Sequence, residues 1–340
     1  MTIIYPAPLS DTATIGVTAP SSGIGKRRDR YQLVKRDLIA AGYRIIEGNY
    51  LFSNTRAVSG GAKERAEEFA RFWLDPNIDF ILPPWGGEQL IGILEYIDWD
   101  ALAGSAPKWC MGYSDISLLL FVLTTKLRVA SAHGTNLMEM TAVQEDALTV
   151  NALLPLKLQD NQHCSQNSAD RYVKDYLCYG EHPSAAFNLT EQVQWKTLSG
   201  NSERIQGRAI GGCIDVLMHI IGTKFDSFNA FCEDQKESVV LYLENCELTS
   251  HTLMRALYQM KYAGWFEKVS GVVFGRNAGT PDKELPNEAI LAELFSGTSI
   301  PVIYDGDIGH AQPNLTIING ALSEFFCDGN GKGLLTITRK

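Results

Sequence analysis

Pro107-Lys108-Trp109-Cys110-Met111-Gly112-Tyr113-Ser114-Asp115, followed by the apolar run Ile116 to Leu127 (ISLLLFVLTTKL), is the stretch whose reading decides the fold. The first five residues form a short buried strand bounded by a proline and a glycine. The run that follows is long and apolar enough for a core-facing helix. A serine between two such elements projects from the carboxyl end of a parallel sheet. Its own amide and the next one then sit at a helix N-terminus, where they can meet a developing oxyanion. Ile116 stands where the G-x-S-x-G elbow has its second glycine. Helix N-cap, the usual role of a serine at such a place, remains the competing reading of Ser114.

Upstream of this stretch the chain alternates strand and helix. Strands are expected over Thr14–Pro20, Tyr43–Glu47, Asp79–Leu82 and Trp109–Met111, with a fifth over Arg128–Ser131. Helices are expected over Lys26–Ala41, Ala62–Leu74 and Gln89–Tyr96. Short loops between alternating elements indicate a parallel α/β sheet, whose ligands bind at the carboxyl strand ends. Ser21-Ser22-Gly23, Trp85-Gly86-Gly87 and Gly112-Tyr113-Ser114 converge there. Gly86-Gly87 reads either as turn punctuation or as backbone able to approach a substrate carbonyl and supply half of an oxyanion hole.

The 340 residues divide into an N-terminal α/β domain over 1–159, a polar linker over 160–183 and a C-terminal domain over 184–340. The last is expected to be α+β, with a curled or barrel-like sheet. Two of its residues carry chemistry. Glu244 follows the apolar strand Ser238–Leu243, and is either a solvated strand-end carboxylate or a cleft residue. His310 lies in the glycine-flanked loop Asp305-Gly306-Asp307-Ile308-Gly309-His310 and is either a turn histidine or a base. His133 is the reserve base. Ser114, His310 and Glu244 could make a relay in which histidine takes the serine proton and glutamate fixes the tautomer. Spacing along the chain leaves open whether they meet. Trp195 reads either as strand packing or as a surface on which a ring could stack.

Composition narrows the partners. A net charge of −9 gives no footprint for nucleic acid and favours a small-molecule or peptide ligand. No G-x-G-x-x-G or Walker A sequence occurs, which disfavours a nicotinamide-dependent enzyme. The six histidines show no metal-ligand spacing, so neither metal nor cofactor is expected. Seven scattered cysteines without a C-x-x-C pair, and an N-terminus without basic and apolar signal regions, suggest the reducing cytoplasm. No run approaches the ~20 apolar residues of a membrane span.

In several blocks and in order, the sequence resembles the serine peptidases of the LD-carboxypeptidase family, which includes the microcin C immunity peptidases. The blocks are Ile15–Pro20, Gly86-Gly87, Pro107–Leu120, Ser131–Gly134, Gly207–Thr223, Leu243–Glu247, Gly271–Arg276 and Asp305–Pro313. The resemblance implies a Rossmann-like N-terminal domain and a homodimer without cofactor. It implies Ser114 as nucleophile, Glu244 as orienting acid and His310 as base. The oxyanion hole falls to the amides of Asp115 and the Gly86-Gly87 loop. Two departures stand out. Gly86-Gly87 continues as Glu88-Gln89 where the murein-type loop is G-G-Y-G, and Gly211-Gly212-Cys213-Ile214 replaces G-G-N-L. They lean toward the immunity-like branch, which cuts the amide joining an aminoacyl or peptidyl group to a nucleotide-like moiety, with Trp195 against the base. The alternative is a murein tetrapeptide LD-carboxypeptidase releasing D-alanine. A non-catalytic two-domain binding protein is the rival of another class.

Overall fold

The computed structural model describes residues 2–340. Its strands, in chain order, are β1 (Thr14–Val17), β2 (Arg44–Glu47), β3 (Phe80–Ile81), β4 (Trp109–Gly112), β5 (Ser131–His133), β6 (His163–Asn167), β7 (Arg171–Val173) and β8 (Leu189–Gln192). They continue as β9 (Lys196–Thr197), β10 (Glu203–Cys213), β11 (Val239–Glu244), β12 (Val269–Gly275), β13 (Val302–Gly306), β14 (Ile317–Asn319), β15 (Leu322–Cys327) and β16 (Gly333–Thr338).

The first sheet has the order β14-β5-β4-β3-β1-β2. Its pairings are parallel except that of β14, which runs antiparallel to β5. Strands β1, β3, β4 and β5 are buried along their whole length, as strands covered on both faces must be; β1, β3 and β4 read as short, mostly apolar runs, whereas β5 is Ser-Ala-His. The expected fifth strand shifts to Ser131–His133. Arg128 closes the preceding helix in a left-handed conformation, φ 60°, and Val129 bridges to Ile4 instead. The helix expected over Gln89–Tyr96 is a single 3-10 turn, Leu90–Ile93.

The second sheet has the order β6-β16-β15-β10-β11-β12-β13-β9. The barrel-like sheet expected of this half is an open one, running from edge strand β6 to edge strand β9. Its centre, β10 to β13, is parallel, with the helices Ser250–Tyr262 and Asn287–Phe295 in the connections. Strand β10 belongs to two neighbourhoods. Glu203–Arg208 pairs antiparallel with β15, and Arg208–Cys213 pairs parallel with β11.

The helix Ile116–Leu127 packs against β4 and β5 of the first sheet and β10 of the second. It is buried from Ile116 through Thr125, which is why it is apolar on every side. The expected linker 160–183 is more structured than its composition suggests. It holds β6, paired with β16, and β7, paired with β8. Strand β6 (HCSQN) alternates exposed and half-buried positions at a sheet edge, so it carries no apolar pattern. Among the described residues no helix is long and apolar enough to cross a membrane.

Candidate active site

The turn after β4 places Ser114 at φ 63°, a left-handed backbone that costs a non-glycine residue about 1–2 kcal/mol. The surroundings hold it there. A Cβ on Gly112 would lie 2.8 Å from Asn136 Oδ1, while the Tyr113 amide donates to that oxygen at 3.3 Å. The Ser114 carbonyl accepts from the Ser117 amide at 2.9 Å and from Ser117 Oγ at 2.5 Å. Asp115 turns its side chain away from its own helix. Its carboxylate accepts from Ser21 Oγ at 2.5 Å and from the Leu90 amide at 2.8 Å, tying the elbow to both neighbouring loops. Burial pushes the Asp115 carboxyl up to about 6, against the lowering effect of these two bonds.

Gly86 closes over the serine. A Cβ there would lie 2.7 Å from both Ser114 Cβ and Ser114 Oγ, and 2.9 Å from the Asp115 amide nitrogen. Gly87, at φ 150°, would set a Cβ 2.3 Å from Ser22 Oγ. Only residues without side chains fit this approach. The three strand-end loops that the sequence suggests as a cluster do cluster.

On the facing side, His310 Nε2 lies 2.9 Å from Ser114 Oγ, and His310 Nδ1 lies 2.9 Å from Glu244 Oε2. The Glu244 side chain is fully buried at the end of β11, and a Cβ on Gly309 would come within 2.3 Å of its Oε2. Burial pushes this carboxyl up, but the facing His310 more than reverses that and holds it below its ordinary value. Burial likewise disfavours the His310 cation, while Glu244 and the Cys246 thiol outweigh it and hold the imidazole well above 6.5. The Tyr113 ring meets the imidazole edge-on at 5.0 Å. Tyr113 Oη donates to Glu139 Oε1 at 2.5 Å, and Gln312 Nε2 donates to both groups. With Nδ1–H directed at Glu244, the ring presents the Nε2 lone pair to Ser114, the arrangement of a general base beside a nucleophile.

The cleft in front of Ser114 measures about 560 Å³. Besides the groups above it is lined by Arg27, Trp85, Tyr176, Tyr179 and Cys246. Residues 174–187 form a strap of which Tyr176, Leu177, Cys178 and Tyr179 line the cleft. Buried Arg30 pins that strap, donating from Nη1 to the carbonyls of Pro183 at 3.1 Å and Ala185 at 2.8 Å. The Arg30 guanidinium also lies 4.0 Å from the centre of the Tyr179 ring.

Residues 15–134 match the LD-carboxypeptidase N-terminal domain, and residues 206–325 match the LD-carboxypeptidase C-terminal domain. The chain belongs to the LD-carboxypeptidase family. It is thereby a serine-type carboxypeptidase by class. The microcin C7 self-immunity protein MccF of Escherichia coli is 26% identical over 325 residues, covering 92% of this chain and 90% of that protein. The murein tetrapeptide carboxypeptidase of Pseudomonas aeruginosa is 23% identical over 305 residues, 88% of this chain and 89% of the relative. The solved structure of MccF in complex with aspartyl sulfamoyl adenosine has the same fold, with a TM-score of 0.84 at 22% identity over 99% of each chain.

Within this LD-carboxypeptidase fold, Ser114, Glu244, His310, Gly86, Gly87 and the Asp115 amide converge on one cleft. Two residues singled out from the sequence stand elsewhere. His133 is fully buried between Tyr113 and Tyr242, and neither ring nitrogen has a hydrogen-bond partner. Burial pushes it down to about 4, so it is a neutral core histidine rather than a reserve base. Trp195 is 1% exposed and is not on the cleft. Its Nε1 donates to Asp307 Oδ2 at 2.7 Å, and Gly333 leaves room for its ring, so packing is the reading that holds. Besides Tyr113, which packs against His310, the aromatic side chains lining the cleft are Trp85, Tyr176 and Tyr179. The last two sit in the stretch read as linker, where two aromatics within four residues (YLCY) are the only signal.

Proposed function

We propose that this LD-carboxypeptidase hydrolyses an amide through an acyl-enzyme on Ser114. Ser114 Oγ attacks the carbonyl carbon while His310 Nε2 takes its proton. Glu244 holds the imidazole in the required tautomer and steadies the imidazolium. The oxyanion meets the Asp115 amide and the backbone of the Gly86-Gly87 loop. As the carbon–nitrogen bond breaks, His310 returns the proton to the leaving amine. Water then attacks the ester, giving its proton to His310, and Ser114 Oγ leaves with that proton. The observation that carries this reading is the unbroken chain of 2.9 Å contacts from Ser114 through His310 to buried Glu244, ending on a serine at φ 63°.

The substrate we favour is an aminoacyl or peptidyl group joined by an amide to a nucleotide-like moiety. The ring faces of Trp85, Tyr176 and Tyr179 suit a planar base, and the relative MccF is known with aspartyl sulfamoyl adenosine bound. Arg27 supports a second reading. It lines the cleft with its guanidinium 4.8 Å from the centre of the Trp85 ring, where it could hold the terminal carboxylate of a murein tetrapeptide. The reading includes action as a homodimer, which sedimentation would check.

The test is hydrolysis of an aminoacyl sulfamoyl-adenosine and of an L,D-tetrapeptide by the protein and its Ser114→Ala variant. Release of the adenosine moiety, lost in the variant, supports the nucleotide reading. Release of D-alanine alone moves the same site to murein peptides. Cleavage of neither substrate overturns both proposed substrate classes.

A further inference from the structure

The catalytic strands carry a residue that the relay does not use. Cys213 ends β10 and is the register partner of Glu244, which ends the neighbouring parallel strand β11. Register partners on parallel strands present their side chains to the same face, so the thiol and the carboxylate stand side by side. His310 arrives beside them from the loop after β13. One donor atom from each of Cys213, Glu244 and His310 lies within 4.8 Å of the others. Cys213 and Glu244 are about 99% buried, at 1% exposure each, and Glu244 Oε1 has no hydrogen-bond partner. An unpaired carboxylate oxygen shielded from water is costly to leave alone. Two further groups border the cluster. Asp215 Oδ2 lies 3.3 Å from Cys213 Sγ, and the Cys246 thiol, which lines the cleft, is within hydrogen-bonding reach of the His310 ring.

We propose that Cys213, Glu244 and His310 form an inhibitory binding site for a thiophilic divalent cation of the zinc class. Thiolate, carboxylate and imidazole are the donors such an ion takes, and three of them leave a fourth position that Cys246 or a water can fill. His310 offers Nδ1, the nitrogen 2.9 Å from Glu244. The ion takes the place of the proton on Nδ1, which moves through solvent to Nε2, and the Cys213 thiol proton is released to solvent. A neutral imidazole bound through Nδ1 carries its single proton on Nε2. That nitrogen faces Ser114 Oγ at 2.9 Å, so the ring now donates where it had to accept. Occupation therefore removes the base without touching the serine. The asparagine of the family's G-G-N-L spelling cannot supply a thiolate, which makes the site a property of Gly211-Gly212-Cys213-Ile214 in this chain.

The blocking of hydrolysis rests on the function proposed above, whereas binding of the ion does not, so the two are read separately. The chelator-treated protein is dialysed against Zn²⁺, and Cd²⁺ is titrated while the cadmium–thiolate charge-transfer absorption is followed. One ion per chain is expected, with the absorption present. Cys213→Ser and Cys213→Asn should each weaken Zn²⁺ by about 100-fold, as loss of a ligand or its support does, and abolish the absorption. Glu244→Gln should weaken Zn²⁺ comparably. On the wild type, saturating Zn²⁺ should stop fluorophosphonate labelling of Ser114, and chelator should restore it. Undiminished binding in both Cys213 variants, or labelling unaffected at saturation, overturns the proposal. A metal-free protein that neither hydrolyses nor labels overturns the catalytic reading instead, while the dialysis still decides the ion.

Discussion

On one wall of the cleft Ser114 is placed by backbone; on the other, His310 and Glu244 are placed by side chains. The serine wall consists of a left-handed residue, a glycine that leaves no room for a Cβ, and amides at the start of a buried helix. The histidine wall consists of hydrogen bonds between residues 66 and 196 positions apart in the chain. A wall of backbone tolerates loss of a side chain and resists added atoms. A wall of side chains does the reverse, because each removed partner strands another buried polar group.

Removing side chains should expose this contrast most sharply. Ser114→Ala is expected to lower kcat by about 10⁴- to 10⁶-fold with the fold intact. Ser114→Gly should be equally inactive yet raise the melting temperature, because glycine relieves a strain of about 1–2 kcal/mol. A glycine variant that melts lower would break the comparison. On the opposite wall, Glu244→Gln should cost about 10⁴-fold in kcat through the wrong tautomer, and should also destabilise the protein, as thermal unfolding would read.

Adding a single methyl tests the backbone wall from the other direction. Gly86→Ala places a Cβ 2.7 Å from Ser114 Oγ, and should lower kcat by about 10²- to 10³-fold with little change in KM.

The pH profile sharpens the description of the histidine wall. Catalysis needs neutral His310, whose value lies well above 6.5, so kcat/KM should fall as the pH drops through that raised value. The acid limb should therefore stand above 6.5. The stability from the His310–Glu244 pair has a different profile: it is complete between about 4.5 and 6.5, is lost as pH rises through the raised value of His310, and is lost again as pH falls through the lowered value of Glu244. A limb below 6.5 would show that the pair is weaker than its geometry.

The smallest effects separate the two tryptophan and tyrosine assignments. Tyr179→Ala should raise KM by roughly tenfold with kcat nearly unchanged, as loss of one stacking face does. Trp195→Phe should leave KM alone and cost about 0.5–1.5 kcal/mol of stability, because it removes the shorter of two hydrogen bonds to Asp307 Oδ2 and leaves only that from the Ala169 amide. The reverse pattern would return Trp195 to the substrate.

The same contrast explains what could be read from the chain. Ser114 was legible because its strand, turn and helix are contiguous, so periodicity alone sets its place. From the residues alone Glu244 and His310 were legible only as strand-end residues, their roles coming from the family resemblance, since their contact depends on the order of β11, β12 and β13. The strap escaped because its anchors are non-local. Arg30 holds Pro183 and Ala185, more than 150 positions away, and such bonds leave no mark on local composition. Trp195 misled because an indole ring reads alike whether it faces a cleft or Gly333. The Cys213–Glu244–His310 cluster was hidden for the opposite reason to a linear metal motif: it is made across strands, so no spacing announces it.

Strand β14 gives the molecule a timetable. Ile317 pairs with His133, so the edge of the first sheet next to β4 and β5 is finished by a segment that leaves the ribosome long after the rest of that sheet. Until then β5 presents an open edge, and the elbow rests on an incomplete support. His310 emerges only a few residues before β14. The nascent chain thus acquires its proton acceptor and the last strand of that first sheet almost together, and a partly made chain holds a nucleophile that nothing can yet activate.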